Sequence, residues 1–396
     1  MSYTNSLILV LIVYLAVNLI VGLWSSKIQR KNQQGKGFIN QYFIGGRSMG
    51  GLVLAMTLIA TFTSASSFVG GPGIASSTGL VWVYLSMIQV PTAFIILGVL
   101  GKKFALISRK TNAVTVTDFL RVRYKSPVVV IISSLCLVLF FIAQMMSQFI
   151  GGAVLFESIT GLSYVYGLLL FGLVVIIYTT IGGFRAVVTT DTLQGIVMVI
   201  GGIILIITIV TTAGGFDALT EKLKVVTPNY ASITGADGTK TMPYIMSFWV
   251  LVGIGVLGLP QTAVRGMGFR DTKALHRAIV YGTIVVGFLM LIMHISGVFA
   301  PAIIDTGALK STDYVVPAIV LKYMNPVVAG VFIAAPLAAV MSTVSSLLIL
   351  ASAAIVKDIY LNYVVKEEKQ RKNEKKIQRI SMFTTLVIGG IVVLFT

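Results

Sequence analysis

Ten long apolar runs divide the 396-residue chain, near 6–24, 50–70, 79–100, 127–152, 162–181, 192–212, 243–264, 278–301, 325–356 and 380–396. A hydrocarbon core of about 30 Å is crossed by roughly 20 residues at helical rise, and these runs have about that length. They are continuous rather than alternating, and backbone polar groups in lipid must be satisfied within the segment. The pattern therefore predicts transmembrane helices, not barrel strands: an all-α polytopic membrane protein with ten crossings. Only Met1 to Asn5, without a basic residue, precede the first run, and no small-residue cleavage site follows it. It reads as a retained helix and not as a signal peptide.

Composition agrees. The chain is 56% hydrophobic and 11% charged, where an ordinary soluble protein carries about 25% charged residues. One cysteine (Cys136) excludes a disulfide framework and any CxxC site, and two histidines (His276, His294) leave little for a histidine metal centre. The net charge of +17 would fit a nucleic-acid partner, but its distribution argues otherwise. Alternate connections hold 25 of the 30 Lys and Arg, including Lys27 to Arg47, Lys102 to Lys125, Arg265 to Arg277 and the run from Lys357 to Arg379. The other side holds Lys222, Lys224, Lys240, Lys310 and Lys322. Such segregation is a topology signal facing an anionic leaflet. It places the amino terminus outside a bacterial plasma membrane, with residues 213–242 as an external loop and 366–379 as an exposed cytoplasmic helix or linker. The bilayer and a small-molecule substrate are the expected partners; nucleic acid is not, and the sequence carries no signal for oligomeric state.

The candidate chemistry lies in neutral oxygens. No Asp or Glu falls in the middle of a run; Glu157 and Asp191 sit at run ends. Proton relays usually depend on intramembrane carboxylates, so a transported cation here would have to be held by carbonyls, hydroxyls and amides, ligands that suit sodium. The second run supplies Thr57, Ala60, Thr61, Thr63, Ser64, Ser66 and Ser67 before Gly70-Gly71-Pro72-Gly73. Ser, Thr and Gly are poor helix formers, and proline removes a donor; the segment predicts a point where the helix unwinds. In the ninth run, Ala339, Ser342 and Thr343 stand at i, i+3 and i+4, on one helix face. Close helix packing through small and hydroxyl residues is the competing explanation for both segments. The seventh run is also interrupted, by Gly253, Gly255, Gly258 and Pro260-Gln261. Broken spans in corresponding positions of two inverted halves mark a secondary transporter. Gln144 and Gln148, one turn apart in an apolar helix, are expected to face the interior, by packing or by ligand contact. Trp249 is a weaker candidate, since tryptophan also belongs to interfacial belts. His294 reads as an interior histidine.

These residues resemble the sodium/solute symporter family. The resemblance rests on the broken second run, on Gly182-Gly183-Phe184-Arg185 through Asp191 and Gln194, on Pro260-Gln261 to Arg265, and on Ala339 to Thr343; it covers essentially all ten runs. It implies a five-plus-five inverted-repeat, leucine-transporter-like core preceded by one extra helix. The expected division is 1–44 for the extra helix and its loop, 45–212 for the first repeat, 213–242 for the external loop, and 243–396 for a second repeat that ends in its fourth helix. It further implies one co-transported sodium ion, with no organic cofactor, held by the carbonyls of Ala60, Thr63 and Ala339 and the hydroxyls of Ser342 and Thr343. By the same resemblance Asp191 lies on the inner sodium exit route, and Ser67 and Gln261 face the substrate cavity. The expected activity is sodium-coupled uptake of a small organic solute by alternating access, pantothenate first, with proline, a sugar or a monocarboxylate as alternatives. A transporter-like sensor module is a further alternative. A channel lacks a visible selectivity filter, and an intramembrane enzyme lacks its catalytic motifs.

Overall fold

The computed structural model describes residues 3–31, 37–365 and 373–396. Part of the predicted cytoplasmic charge, Lys36 and residues 366–372, lies outside the described residues. Among the described residues 86% are helical and none forms a strand. In chain order the helices are α1 (Tyr3–Lys31), α2 (Phe38–Ile44), α3 (Gly51–Phe62), α4 (Ser66–Thr78), α5 (Leu80–Thr111), α6 (Val116–Tyr124) and α7 (Pro127–Thr160). There follow α8 (Tyr164–Ala213), α9 (Phe216–Val226), α10 (Met242–Gly258), α11 (Pro260–Met267), α12 (Thr272–Ala302), α13 (Val315–Tyr323), α14 (Pro326–Val364) and α15 (Glu374–Phe395).

Among the described residues seven helices are long and apolar enough to cross a bilayer, or nine if two bent pairs each count as one span: α3 with α4, bent by 69°, and α10 with α11, bent by 46°. The predicted fifth and sixth runs fall together in α8, whose 50 residues would measure about 75 Å if straight. It is not a single straight rod: Gly183 leaves the helical region at φ 56°, ψ −155°. Within the expected external loop, Phe216–Val226 forms the short helix α9.

Local sequence explains where the helices start and stop. Pro127, Pro243, Pro260 and Pro326 occupy first turns, where a missing N–H costs nothing. Asn325 caps α14 by accepting the Val327 and Val328 N–H groups, and Asp271 caps α12 by accepting that of Ala274. Gly161 and Gly214 end α7 and α8 in the left-handed region.

The core sits around α14. In its most apolar window 83% of residues are buried inside the protein, against 22–39% for the other continuous spans. A helix apolar on every side belongs in a core, and α14 is packed by α8, α7, α1, α3 and α15. The outer helices instead show Leu139, Phe140, Leu251 and Ile284 on their surfaces, the lipid-facing counterpart of that burial. Outside the spans, α6 is fastened to the end of α14. Asp118 accepts from Lys357 at 2.9 Å and from the Val114 N–H at 3.0 Å, and the Thr115 and Thr117 hydroxyls donate to Asp358. Burial opposes the charge of Asp118, but Lys357, the Val114 N–H and Arg121 outweigh it and hold its pKa below the ordinary carboxylate value.

The break in α8 yields a prediction. A Cβ on Gly183 would lie 2.6 Å from a Tyr42 ring carbon and 2.8 Å from the Tyr42 carbonyl, in a backbone region that side chains avoid. Gly183→Ala should cost about 1–3 kcal/mol and lower the melting temperature in detergent. Gly255→Ala, with open space around it, should not; equal melting temperatures would show that the break is unconstrained.

Candidate functional site

The α3–α4 break comes where the Ser/Thr-rich sequence predicts unwinding. Thr63 takes extended torsions, φ −84° and ψ 129°, and helix resumes beyond Ser64. A helix end leaves its last carbonyls without intrahelical donors, and here two hydroxyls of α14 reach them. Ser342 Oγ donates to the Ala60 carbonyl at 2.8 Å and to its own-helix Ala339 carbonyl at 3.0 Å. Thr343 Oγ1 lies 2.9 Å from the Ala339 carbonyl and 3.4 Å from that of Thr63. All five residues are buried. The structure thus brings together the carbonyls of Ala60, Thr63 and Ala339 with the hydroxyls of Ser342 and Thr343. Each hydroxyl has one proton and two lone pairs; with the protons turned aside, five neutral oxygens can face a common centre. Such a donor set fits a monovalent cation.

One turn along the same two helices, Thr57 and Ser346 meet a buried ion pair between α8 and α11. Asp191 Oδ2 accepts from Arg265 Nη2 at 2.9 Å and from Thr57 Oγ1 at 2.5 Å. Arg265 also donates to the Thr57 carbonyl at 3.1 Å, the Gln261 carbonyl at 2.9 Å and Ser346 Oγ at 2.6 Å. Asp191 is 0% and Arg265 1% exposed. This corrects two expectations. Arg265, expected as a basic loop residue, is a core residue, and Asp191 lies within the continuous helix rather than at its start. The reason is mutual: an isolated charge in a dry interior is prohibitively costly, whereas a paired one is tolerated, although Asp191 Oδ1 has no partner among the described residues. The pair joins α3, α8, α11 and α14.

A cavity of about 280 Å³ opens on the far side of the break, between α4, α7 and the segment before α13. Of the five residues expected to face substrate, only Gln148 lines it; its Oε1 accepts the Ala65 N–H at 3.1 Å. Ser67 is buried beside the cavity and accepts the Ser64 N–H, while its neighbour Ser66 provides lining. Gln144 stands one turn from Gln148, half-buried and away from the lining. Gln261 is buried under Arg265, its Oε1 unpartnered among the described residues. Trp249 packs on Tyr84, ring centroids 4.9 Å apart, in a small cluster with Val81, Leu85 and Ile245. His294 is interior as expected, its Nδ1 2.6 Å from the Met290 carbonyl. Sequence reasoning missed Thr57 and Ser346 as partners of the ion pair and Asp313 as a lining residue. A charged residue five positions past the helix-breaking Pro260 was the available signal for Arg265; the exposed turn holding Asp313 offered none.

The profile of the sodium:solute symporter family matches residues 42–396, and the chain belongs to that family, whose members are transporters and not enzymes. A sodium/pantothenate symporter of Haemophilus influenzae is 49% identical over 356 residues, covering 90% of this chain and 72% of that protein. Its namesake in Escherichia coli is 47% identical over 387 residues, covering 98% and 78%. A sodium/proline symporter of Staphylococcus saprophyticus is 30% identical, covering 96% and 73%. Among solved structures, the substrate-bound outward-open state of a Na⁺-coupled sialic acid symporter superposes with a TM-score of 0.83 at 21% identity, over all of this chain and 83% of that one. The fold is of that kind.

The ion pair can be checked directly. Arg265→Met alone strands the Asp191 carboxylate and should destabilise by about 3–5 kcal/mol. Adding Asp191→Asn should recover a large part of that loss, measured as a double-mutant cycle of unfolding in detergent. Simple additivity of the two changes would mean that the residues are not coupled.

Proposed function

We propose that this chain couples inward sodium movement to the uptake of a small organic solute, pantothenate in the first place, by alternating access in a bacterial plasma membrane. The observation that carries the reading is the convergence of two α14 hydroxyls on the carbonyls released by the broken α3. Sodium is the cargo, bound through Ala60, Thr63, Ala339, Ser342 and Thr343. The chain crosses the membrane ten times from an external amino terminus, α8 supplying two crossings joined at Gly183. The two broken spans, α3–α4 and α10–α11, hold corresponding places in a five-plus-five inverted repeat after α1. Identities of 47–49% to sodium/pantothenate symporters, against 30% to a sodium/proline symporter, support pantothenate over proline as the solute.

The coupling follows from the geometry. A cation on the α3–α14 seam replaces hydroxyl-to-carbonyl hydrogen bonds with stronger ion contacts, and so orders the unwound residues that lead to Ala65 and the cavity. It favours solute binding only insofar as it prefers that ordered state. The Asp191–Arg265 pair closes the route on the other side of the seam, and release inward requires α3 and α14 to part there.

In proteoliposomes, Ser342→Ala removes one oxygen of the set and should raise the sodium concentration for half-maximal pantothenate uptake by at least about tenfold, with the fold unchanged by circular dichroism. An unaltered sodium dependence would dismiss this site. Charge gives a second check. One sodium with the pantothenate monoanion moves no net charge, whereas each uncompensated charge is worth about 2.3 kcal/mol per 100 mV. Initial uptake should therefore be the same with and without a potassium diffusion potential; acceleration by an inside-negative potential would require a second cation.

A further inference from the structure

The cavity beside the break is chemically lopsided. Its inner wall carries the buried Gln148 and its outer rim the exposed Asp313, on the turn Thr312–Tyr314; among the described residues lining it, none is Lys, Arg or His. Gln148 has a fixed orientation. Its Oε1 holds the Ala65 N–H, so turning the amide over would leave that buried donor without an acceptor. The two Nε2 hydrogens are thereby kept for the cavity. At the rim the preference is reversed. The Asp313 backbone N–H is held by Ser311 Oγ at 3.3 Å, while its carboxylate has no protein partner among the described residues and lies beside Gly70 of α4. Donors face the cavity from within and an acceptor from without.

We propose that the cavity holds an anionic solute in one direction only: carboxylate inward on the Gln148 amide, and hydroxyl- or amide-bearing end outward on the Asp313 carboxylate. The inference rests on the carrier reading above and adds how the solute lies. The opposite direction sets two carboxylates together at the rim and gives the Gln148 amide only a neutral acceptor in place of a charged one. In the proposed direction the solute's charge comes to rest at Ala65, two residues from Thr63. The cation held there then supplies the positive charge that the lining lacks. Solute and sodium are coupled by charge as well as by the ordering of the break.

Uptake of pantothenate by the full chain in proteoliposomes tests the direction, with two competitors: its alcohol analogue, in which hydroxymethyl replaces the carboxylate, and an analogue without the two hydroxyls. Gln148→Glu keeps an acceptor for the Ala65 N–H but turns negative charge into the cavity. It should weaken pantothenate by at least about tenfold while changing the neutral alcohol by less than about threefold. Asp313→Asn should weaken pantothenate by about three- to fivefold and leave the analogue without hydroxyls unchanged. Equal losses of the acid and the alcohol in Gln148→Glu, or tighter pantothenate binding by Asp313→Asn, would overturn the direction and leave the carrier reading standing. Absence of sodium-dependent pantothenate uptake by the unaltered chain would overturn both. Should Gln148→Glu lose its wild-type melting temperature, Asp313→Asn decides the direction by itself, since that position is exposed and its change disturbs no packing.

Discussion

A helix broken inside a bilayer must find partners for the carbonyls it releases, because no water is there to take them. That constraint organises the centre of this protein. The carbonyls of Ala60 and Thr63 are met by Ser342 and Thr343, and to reach them α14 has to run through the interior with almost every side buried. Its run of Ala, Ser and Val around position 340 allows the neighbouring helices close. The partnership is also weak in its chemistry. Each hydroxyl divides one proton between a carbonyl across the seam and one on its own helix, so the seam is satisfied without being locked. Neutral oxygens held in this way can be turned toward a small cation at little cost, which a buried carboxylate pair could not offer.

The Asp191–Arg265 pair is hydrogen-bonded to the same two helices and imposes the opposite condition. Thr57 precedes Ala60 by three residues and Ser346 follows Ser342 by four, so the ion pair and the oxygen cluster lie one helical turn apart along a single seam. Arg265 donates to five acceptors on three other segments of chain and on its own helix. A pair held at several points resists separation, because exposing either charge to a dry interior is expensive. One end of the seam is therefore pliable and the other stiff. Opening at the stiff end has to carry the charges apart together with their hydroxyl partners, or admit water to them.

How much of this was legible in the sequence follows from which forces are local. The positions of the long apolar helices were readable because solvation by lipid acts on every residue of a run, and the α3–α4 break because Ser, Thr, Gly and Pro weaken a helix where they stand. The alignment of Ala339, Ser342 and Thr343 follows from helical spacing alone. The Arg265–Asp191 pair was not readable as a pair. Each residue taken singly looks like a charge at the end of an apolar run, and only the packing of both α8 and α11 against α3 and α14 makes them neighbours. The break in α8 was legible in position, since the fifth run ends at 181 beside Gly182-Gly183, but not in its cause, which is Tyr42 pressing against it from a distant segment. Among the expected substrate contacts, Gln148 and Gln144 are alike in sequence. A single backbone donor, the Ala65 N–H, distinguishes the one that lines the cavity.

In the proposed mechanism that donor also lets the break serve two ligands. Thr63 belongs to the oxygen cluster and Ala65 to the cavity, with one residue between them, and no regular hydrogen bonding insulates one from the other. Fixing the Thr63 carbonyl restricts the torsions that set where the Ala65 N–H points, and hence how Gln148 is held. Fixing Gln148 by a ligand acts back on Thr63 through the same short segment. Thermodynamic linkage makes any such effect reciprocal: whatever the cation adds to solute affinity, the solute adds to cation affinity. An intact helix would transmit less, since its own hydrogen bonds would hold both residues regardless of occupancy. The unwinding is thus the part of the structure that lets two sites share one free energy.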